Sequence, residues 1–132
     1  MDLRKLFVGL KNVVLNPTKS VKLWRATRMW KEAVAEADEK RKLDGHRYFV
    51  IWDAMQHKLI SITYDIYKGR GDSYQYLRAR GAFKSPLRRD ELKELCFYYT
   101  TSKWGTKPIP QEVLEGKLVE WQNFYLKQRV SN

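Results

Sequence analysis

Cysteine is almost absent: Cys96 is the single thiol in 132 residues. One thiol cannot build an intrachain disulfide framework, and its scarcity suits a reducing cytoplasm. Histidine is nearly as scarce. His46 and His57 have no cysteine or clustered carboxylate at ligand spacing, so no zinc site is expected. Gly69 and Gly71 lack the third glycine and the following lysine of a phosphate-cradling loop. No apolar run approaches the roughly 18 residues needed to cross a bilayer, so no spanning segment is expected. A membrane is not the expected partner, and peripheral binding of residues 2–15 to anionic lipid is a third option. The opening Met1-Asp2-Leu3-Arg4-Lys5 carries charge but no h-region or small-residue cleavage site, so a secretory signal is not expected. Cys96 beside Phe97 reads as a small core residue rather than a nucleophile. No catalytic, cofactor-binding or metal-ligating residue emerges, and the chain reads as an interaction protein rather than an enzyme.

Acid is the other shortage. Asp and Glu total 15 against 26 Lys and Arg, a net charge of +11. Such an excess is met by something acidic or carried at a cost in self-repulsion. It is unevenly spread: residues 67–90 hold seven basic and two acidic side chains, while 46–66 is neutral. A smaller excess of +3 lies in residues 1–20.

The length fits one domain, and 43% apolar with 14% aromatic residues is ample for a core. Residues 2–15 read as a short amphipathic helix, with Leu3, Leu6, Phe7, Leu10, Val13 and Val14 recurring at helical spacing and Arg4, Lys5 and Lys11 opposite. A segment this short is marginal without a surface to dock on. Asn16-Pro17 ends it and starts a second helix, which runs to about Leu43 with Gly45 as its left-handed stop. The expected buried stripe is Leu23, Ala26, Trp30, Ala33, Val34 and Ala37, with Trp24 and Met29 beside it. Pairs such as Glu36 with Lys40 read as a solvated helix face.

Two β-branched and aromatic runs, Arg47–Trp52 and Lys58–Tyr64, flank a short polar linker and predict an antiparallel hairpin. In the second strand, Leu59, Ser61 and Thr63 fall on one face against Ile60, Ile62 and Tyr64. Asp72 is the expected N-cap of a short helix over 73–80 closed by Gly81. Ser85-Pro86 predicts a helix from Pro86 to about Tyr98 with Leu87, Leu92 and Leu95 inward. Pro110 opens a final helix to about Val130, with Leu114, Leu118, Trp121 and Tyr125 in one stripe.

The strongest functional candidate is the stretch from Tyr67 to Arg89. There Tyr67, Tyr74, Tyr76 and Phe83 alternate with Lys68, Arg70, Arg78, Arg80, Lys84, Arg88 and Arg89. Interleaving of this kind fits phosphate neutralisation with base stacking. It equally fits aromatics turned into a core beneath a basic rim that meets an acidic protein surface. The embedded Gly69-Arg70-Gly71-Asp72-Ser73 matches an adhesion pentapeptide, but Asp72-Ser73 is better read as a helix start.

Several blocks carry a family resemblance. These are Ala33–Asp38, Gly45–Ile51, Lys58-Leu59-Ile60, Leu77–Gly81 and Glu94–Thr100. Together they resemble small proteins of tailed phages infecting Bacteroidota, crAss-like phages among them, over roughly residues 30–100. In those proteins a helix ending near a glycine leads to an Arg-Tyr-Tyr-Val-like hairpin, then a basic helix and a Cys-Phe-Tyr-type segment. The resemblance implies a phage context, in which small basic proteins sit at virion interfaces or on packaged DNA, and it transfers no catalytic residue.

The expectation is therefore an α+β fold, with a long helix and shorter helices packed on a β-hairpin. Residues 1–16 form an amphipathic docking arm and 17–132 a single domain. The expected function is a non-enzymatic virion structural protein, made in the bacterial host cytoplasm, that joins other chains at the capsid, neck or tail within an oligomeric assembly. Leu3, Leu6, Phe7 and Leu10 would insert into a neighbour, while Arg70, Arg78, Arg80, Arg88 and Arg89 face an acidic surface. The alternative is a sequence-nonspecific DNA or RNA binder using the basic 67–90 region.

Overall fold

Proline at a first helical turn and a left-handed glycine just past the last one bracket the longest element. In the computed structural model this helix, α1, spans Pro17–Asp44. Gly45 follows at φ 77° and its N–H closes on Arg41 O at 2.6 Å, a conformation glycine adopts without a Cβ clash. The structure describes residues 17–67, 69, 71–83, 85–101 and 109–130. The expected N-terminal arm, with Leu3, Leu6, Phe7 and Leu10, lies outside the described residues, as does Arg70. The other elements are β1 (Phe49–Asp53), β2 (Lys58–Ile62), α2 (Tyr74–Ala79), α3 (Arg89–Leu95), β3 (Tyr98–Tyr99) and α4 (Gln111–Val130). The fold is α+β, with four helices and a three-stranded antiparallel sheet in the order β2-β1-β3 among the described residues.

Packing groups the chain into two compact units, Met1–Lys31 with Ile109–Asn132, and Glu32–Pro108. In the first, Leu23, Ala26 and Trp30 of α1 and Leu118, Trp121 and Tyr125 of α4 are buried. The small Ala26 leaves its carbonyl open to the Trp121 indole, whose Nε1–H donates to Ala26 O at 2.7 Å. Gln122 Nε2 donates to Thr27 Oγ1 at 3.0 Å, and that hydroxyl in turn donates to Leu23 O at 2.8 Å. A buried indole N–H, amide and hydroxyl are all satisfied, which removes the main cost of enclosing them.

In the second unit the expected hairpin forms, with Phe49 opposite Ile62 and Asp53 opposite Lys58. Asp53 Oδ1 accepts from the N–H groups of Met55 and Gln56 in the turn, and His57 takes φ 51° to close it. Phe49, Val50 and Ile51 are all buried; a central strand covered on both faces loses the simple alternation of an edge strand.

Two expectations fail here. Residues 86–98 do not form one helix. Glu91 Oε1 accepts from the Arg88 N–H at 3.0 Å, so α3 starts three residues late and ends at Leu95. Tyr98 and Tyr99 instead add a third strand beside β1. Consequently Leu92 is fully buried, whereas Leu95, expected inward, is 57% exposed. The N-cap of α2 is Ser73 rather than Asp72: Ser73 Oγ accepts from Tyr76 N–H at 3.1 Å.

The second half of α1 is tied to the sheet by polar contacts. Tyr98 OH donates to Asp38 Oδ1 at 2.7 Å and Tyr48 OH donates to Asp44. Lys40 Nζ reaches Glu36 at 3.3 Å and Ser61 O at 3.4 Å. Arg41 Nε donates to Thr101 O at 2.9 Å. Burial holds the Tyr98 phenol well above its usual value; the hydrogen bond to Asp38 and that carboxylate's charge add to the rise, and Arg41 opposes it. The folded state thus keeps the proton while the unfolded chain releases it near pH 10. The contribution is present below about pH 10 and lost as pH rises further. Tyr98→Phe should therefore lower stability at neutral pH by about 1.5–3 kcal/mol, the range for a hydrogen bond to a charged group. The gap between the two proteins should shrink above pH 10, as read from paired urea titrations.

Candidate partner-binding site around the second and third helices

The segment after β2 turns through an isolated parallel bridge between Thr63 and Ser73. Thr63 N–H donates to Asp72 O at 3.2 Å, and Tyr74 and Gln75 return N–H bonds to Thr63 O and Tyr64 O. This bridge and the Ser73 cap fix the start of α2. Its end is fixed by Gly81 at φ 84°, where Gly81 and Ala82 donate back to Arg78 O and Leu77 O, each at 3.0 Å.

Of the aromatic residues of this region Tyr74 is buried, and Tyr64, Tyr67, Tyr76 and Phe83 are half-buried. Tyr74 is fully buried; its ring stacks on Tyr64 at 5.3 Å with 9° between planes and meets Phe83 at 4.7 Å. Its hydroxyl accepts from Leu87 N–H at 2.6 Å, and Tyr64 OH donates to Leu87 O at 2.8 Å. Two phenols thus clamp both backbone groups of Leu87, immediately before Arg88 and Arg89. That arrangement leaves Tyr74 with no face for a nucleobase.

The arginines are outside. Arg78 lies in the last turn of α2 and Arg80 is its C-cap, lying 5.4 Å over the Tyr76 ring. Both are exposed, and among the described residues neither has a carboxylate partner within ion-pair distance. Arg88 and Arg89 differ. Arg88 Nε lies 3.2 Å from Glu91 and 3.6 Å from Asp90. Arg89 Nη2 lies 2.5 Å from Asp65, and its guanidinium covers the Tyr64 ring at 5.2 Å. These pairs are exposed, so they are worth little and exchange readily for an outside anion. All four guanidinium groups are exposed, and each is suited to bidentate contact with carboxylate or phosphate oxygens.

The sequence expectation thus splits. Arg78, Arg80, Arg88 and Arg89 come from two short helices held by one aromatic clamp. Asp65 and Tyr64, which set Arg89, were not singled out; Asp65 lies 24 residues away, and no local pattern links the two. His46 packs against Tyr67 with ring centroids 3.8 Å apart, and His57 lies edge-on to Trp52 at 6.1 Å. Among the described residues no three His, Cys, Asp or Glu side chains gather to hold a metal ion. No described helix is long and apolar enough to cross a membrane. Comparison with protein-family models, curated proteins and solved structures returns no match to the chain.

Proposed function

We propose that the protein is a non-enzymatic assembly component of a phage particle. In this reading Arg78, Arg80, Arg88 and Arg89 meet an acidic surface of a neighbouring chain at the capsid, neck or tail. The observation that carries it is the packing of Tyr64 and Phe83 on the buried Tyr74, with the guanidinium groups exposed. Tyr74 is buried, Tyr64 is covered by Tyr74 and Arg89, and Tyr76 lies under Arg80. The arginines therefore offer charge and hydrogen-bond donors ahead of a stacking platform, which favours carboxylates on a protein rim. The phage context rests on the family resemblance over residues 30–100. The first sixteen residues would supply apolar anchoring through Leu3, Leu6, Phe7 and Leu10.

Reversing the charge with Arg78→Glu and Arg80→Glu should cut incorporation of the chain into purified particles by at least about tenfold, the scale of losing two desolvated charge contacts. Stability should stay within about 0.5 kcal/mol, because both side chains are exposed. Copy number by quantitative mass spectrometry of the particles reads the effect. Absence of the wild-type chain from particles, or normal incorporation of the double variant, would sink the proposal.

A further inference from the structure

The first half of α1 carries a surface that the reading above does not use. Residues 17–31 contain five Lys and Arg and no Asp or Glu. The cations recur at every third position, Lys19, Lys22, Arg25, Arg28 and Lys31. In the same unit α4 adds no net charge, with three basic and three acidic residues, so the local excess is not offset there.

An exposed indole lies within this array. Trp24 and Val21 are each 55% exposed, whereas Trp30 on the same helix is 2% exposed. At 100° per residue, Val21, Trp24, Arg25 and Arg28 share an arc of about 100° opposite Leu23, Ala26 and Trp30. The Arg28 guanidinium lies 5.6 Å from the Trp24 ring centroid, which holds the indole as a flat plate beside a cation.

We infer that the exposed face of α1 from Val21 to Lys31 is a contact site for single-stranded nucleic acid. Trp24 stacks on a base, and Lys22, Arg25, Arg28 and Lys31 neutralise consecutive phosphates. Charge complementarity selects a polyanion. The spacing selects a flexible one: each three-residue step rises about 4.5 Å and turns by about 60°, so the cations wind around the exposed side of the helix. A single strand follows such a path and offers bases to an indole, the combination used in sequence-tolerant binding. The site uses residues other than Arg78 and Arg80, and its test does not depend on particle incorporation.

The test is fluorescence anisotropy of the full chain with a labelled thymidine oligonucleotide at low salt. Trp24→Ala should weaken binding about five- to hundredfold, and Trp24→Phe should retain most of the affinity. Arg25→Glu with Arg28→Glu should reduce the slope of log affinity against log salt by about 1.4, the loss of two phosphate contacts on a single strand. Because Trp24 is exposed, circular dichroism should show an unchanged fold in these variants. No oligonucleotide binding at low salt, wild-type affinity in Trp24→Ala, or equal losses in the alanine and phenylalanine variants overturns the inference. Loss of binding in Arg78→Glu with Arg80→Glu, while Trp24→Ala binds normally, overturns it too. So does a Trp24-dependent complex with a polyglutamate peptide when the oligonucleotide gives none, which assigns the face to an acidic protein.

Discussion

Trp121→Ala is expected to unfold the unit built from α4 and the first half of α1. The indole is fully buried between Leu118 and Tyr125 on α4, and its N–H is committed to Ala26 O at 2.7 Å. Truncating a buried tryptophan to alanine costs about 3–5 kcal/mol, transfer and cavity terms together. Two helices with a small shared core have little margin against such a loss. Far-UV circular dichroism should fall at ambient temperature, and amide exchange should accelerate in residues 20–31 and 111–128. Trp121→Phe separates the two contributions. It keeps most of the apolar contact and leaves the Ala26 carbonyl with its intrahelical bond alone, so a loss of only about 1–2 kcal/mol is expected. If Trp121→Ala unfolds at the same urea concentration as wild type, the burial described for this unit is wrong.

Tyr74→Ala has the second largest expected effect, and it connects stability to the exposed arginines. The ring stacks on Tyr64 and meets Phe83 at a tilt of 58°, and the hydroxyl accepts from Leu87 N–H at 2.6 Å. Removing it should cost about 3–5 kcal/mol and free the backbone that presents Arg88 and Arg89. Tyr74→Phe preserves the stack but strands the Leu87 N–H, at about 1–3 kcal/mol. Thermal unfolding should rank wild type above Tyr74→Phe above Tyr74→Ala. Arg78→Ala, an exposed site, should match wild type within about 0.5 kcal/mol. Partner binding should invert that contrast, since Arg78→Ala loses a contact without losing stability. A Tyr74→Phe protein as stable as wild type would mean that Leu87 N–H finds another acceptor.

The exposed arginines were half legible in the sequence. The cluster of basic residues over 67–90 is a count that anyone can make from the chain. Which of them remain open to a partner is not, because Arg89 is engaged by an Asp65 that only the turn after β2 brings to it. The interleaved tyrosines admitted two readings for the same reason. Alternating ring and cation has no fixed face until something packs on the rings, and Tyr64 with Phe83 does so.

Local chemistry alone determined the frame: Pro17 and Gly45 bracket α1, β-branched runs make β1 and β2, and the apolar repeat of Leu118, Trp121 and Tyr125 makes α4. Each of these signals acts over one turn or one strand, so neighbouring residues suffice. Long-range pairing decided the rest. Cys96 to Tyr99 could extend a helix by pattern, but Phe97 N–H finds Val50 O and Thr100 N–H finds Tyr48 O, and backbone partners that distant in sequence make a strand. Trp24 and Trp30 stand six residues apart on the same helix, and the apolar repeat places Trp30 in the expected stripe and Trp24 at its border, where the pattern leaves burial open. Burial on one side of α1 encloses Trp30 and leaves Trp24 to solvent, because a helix can turn only one stripe toward its neighbour.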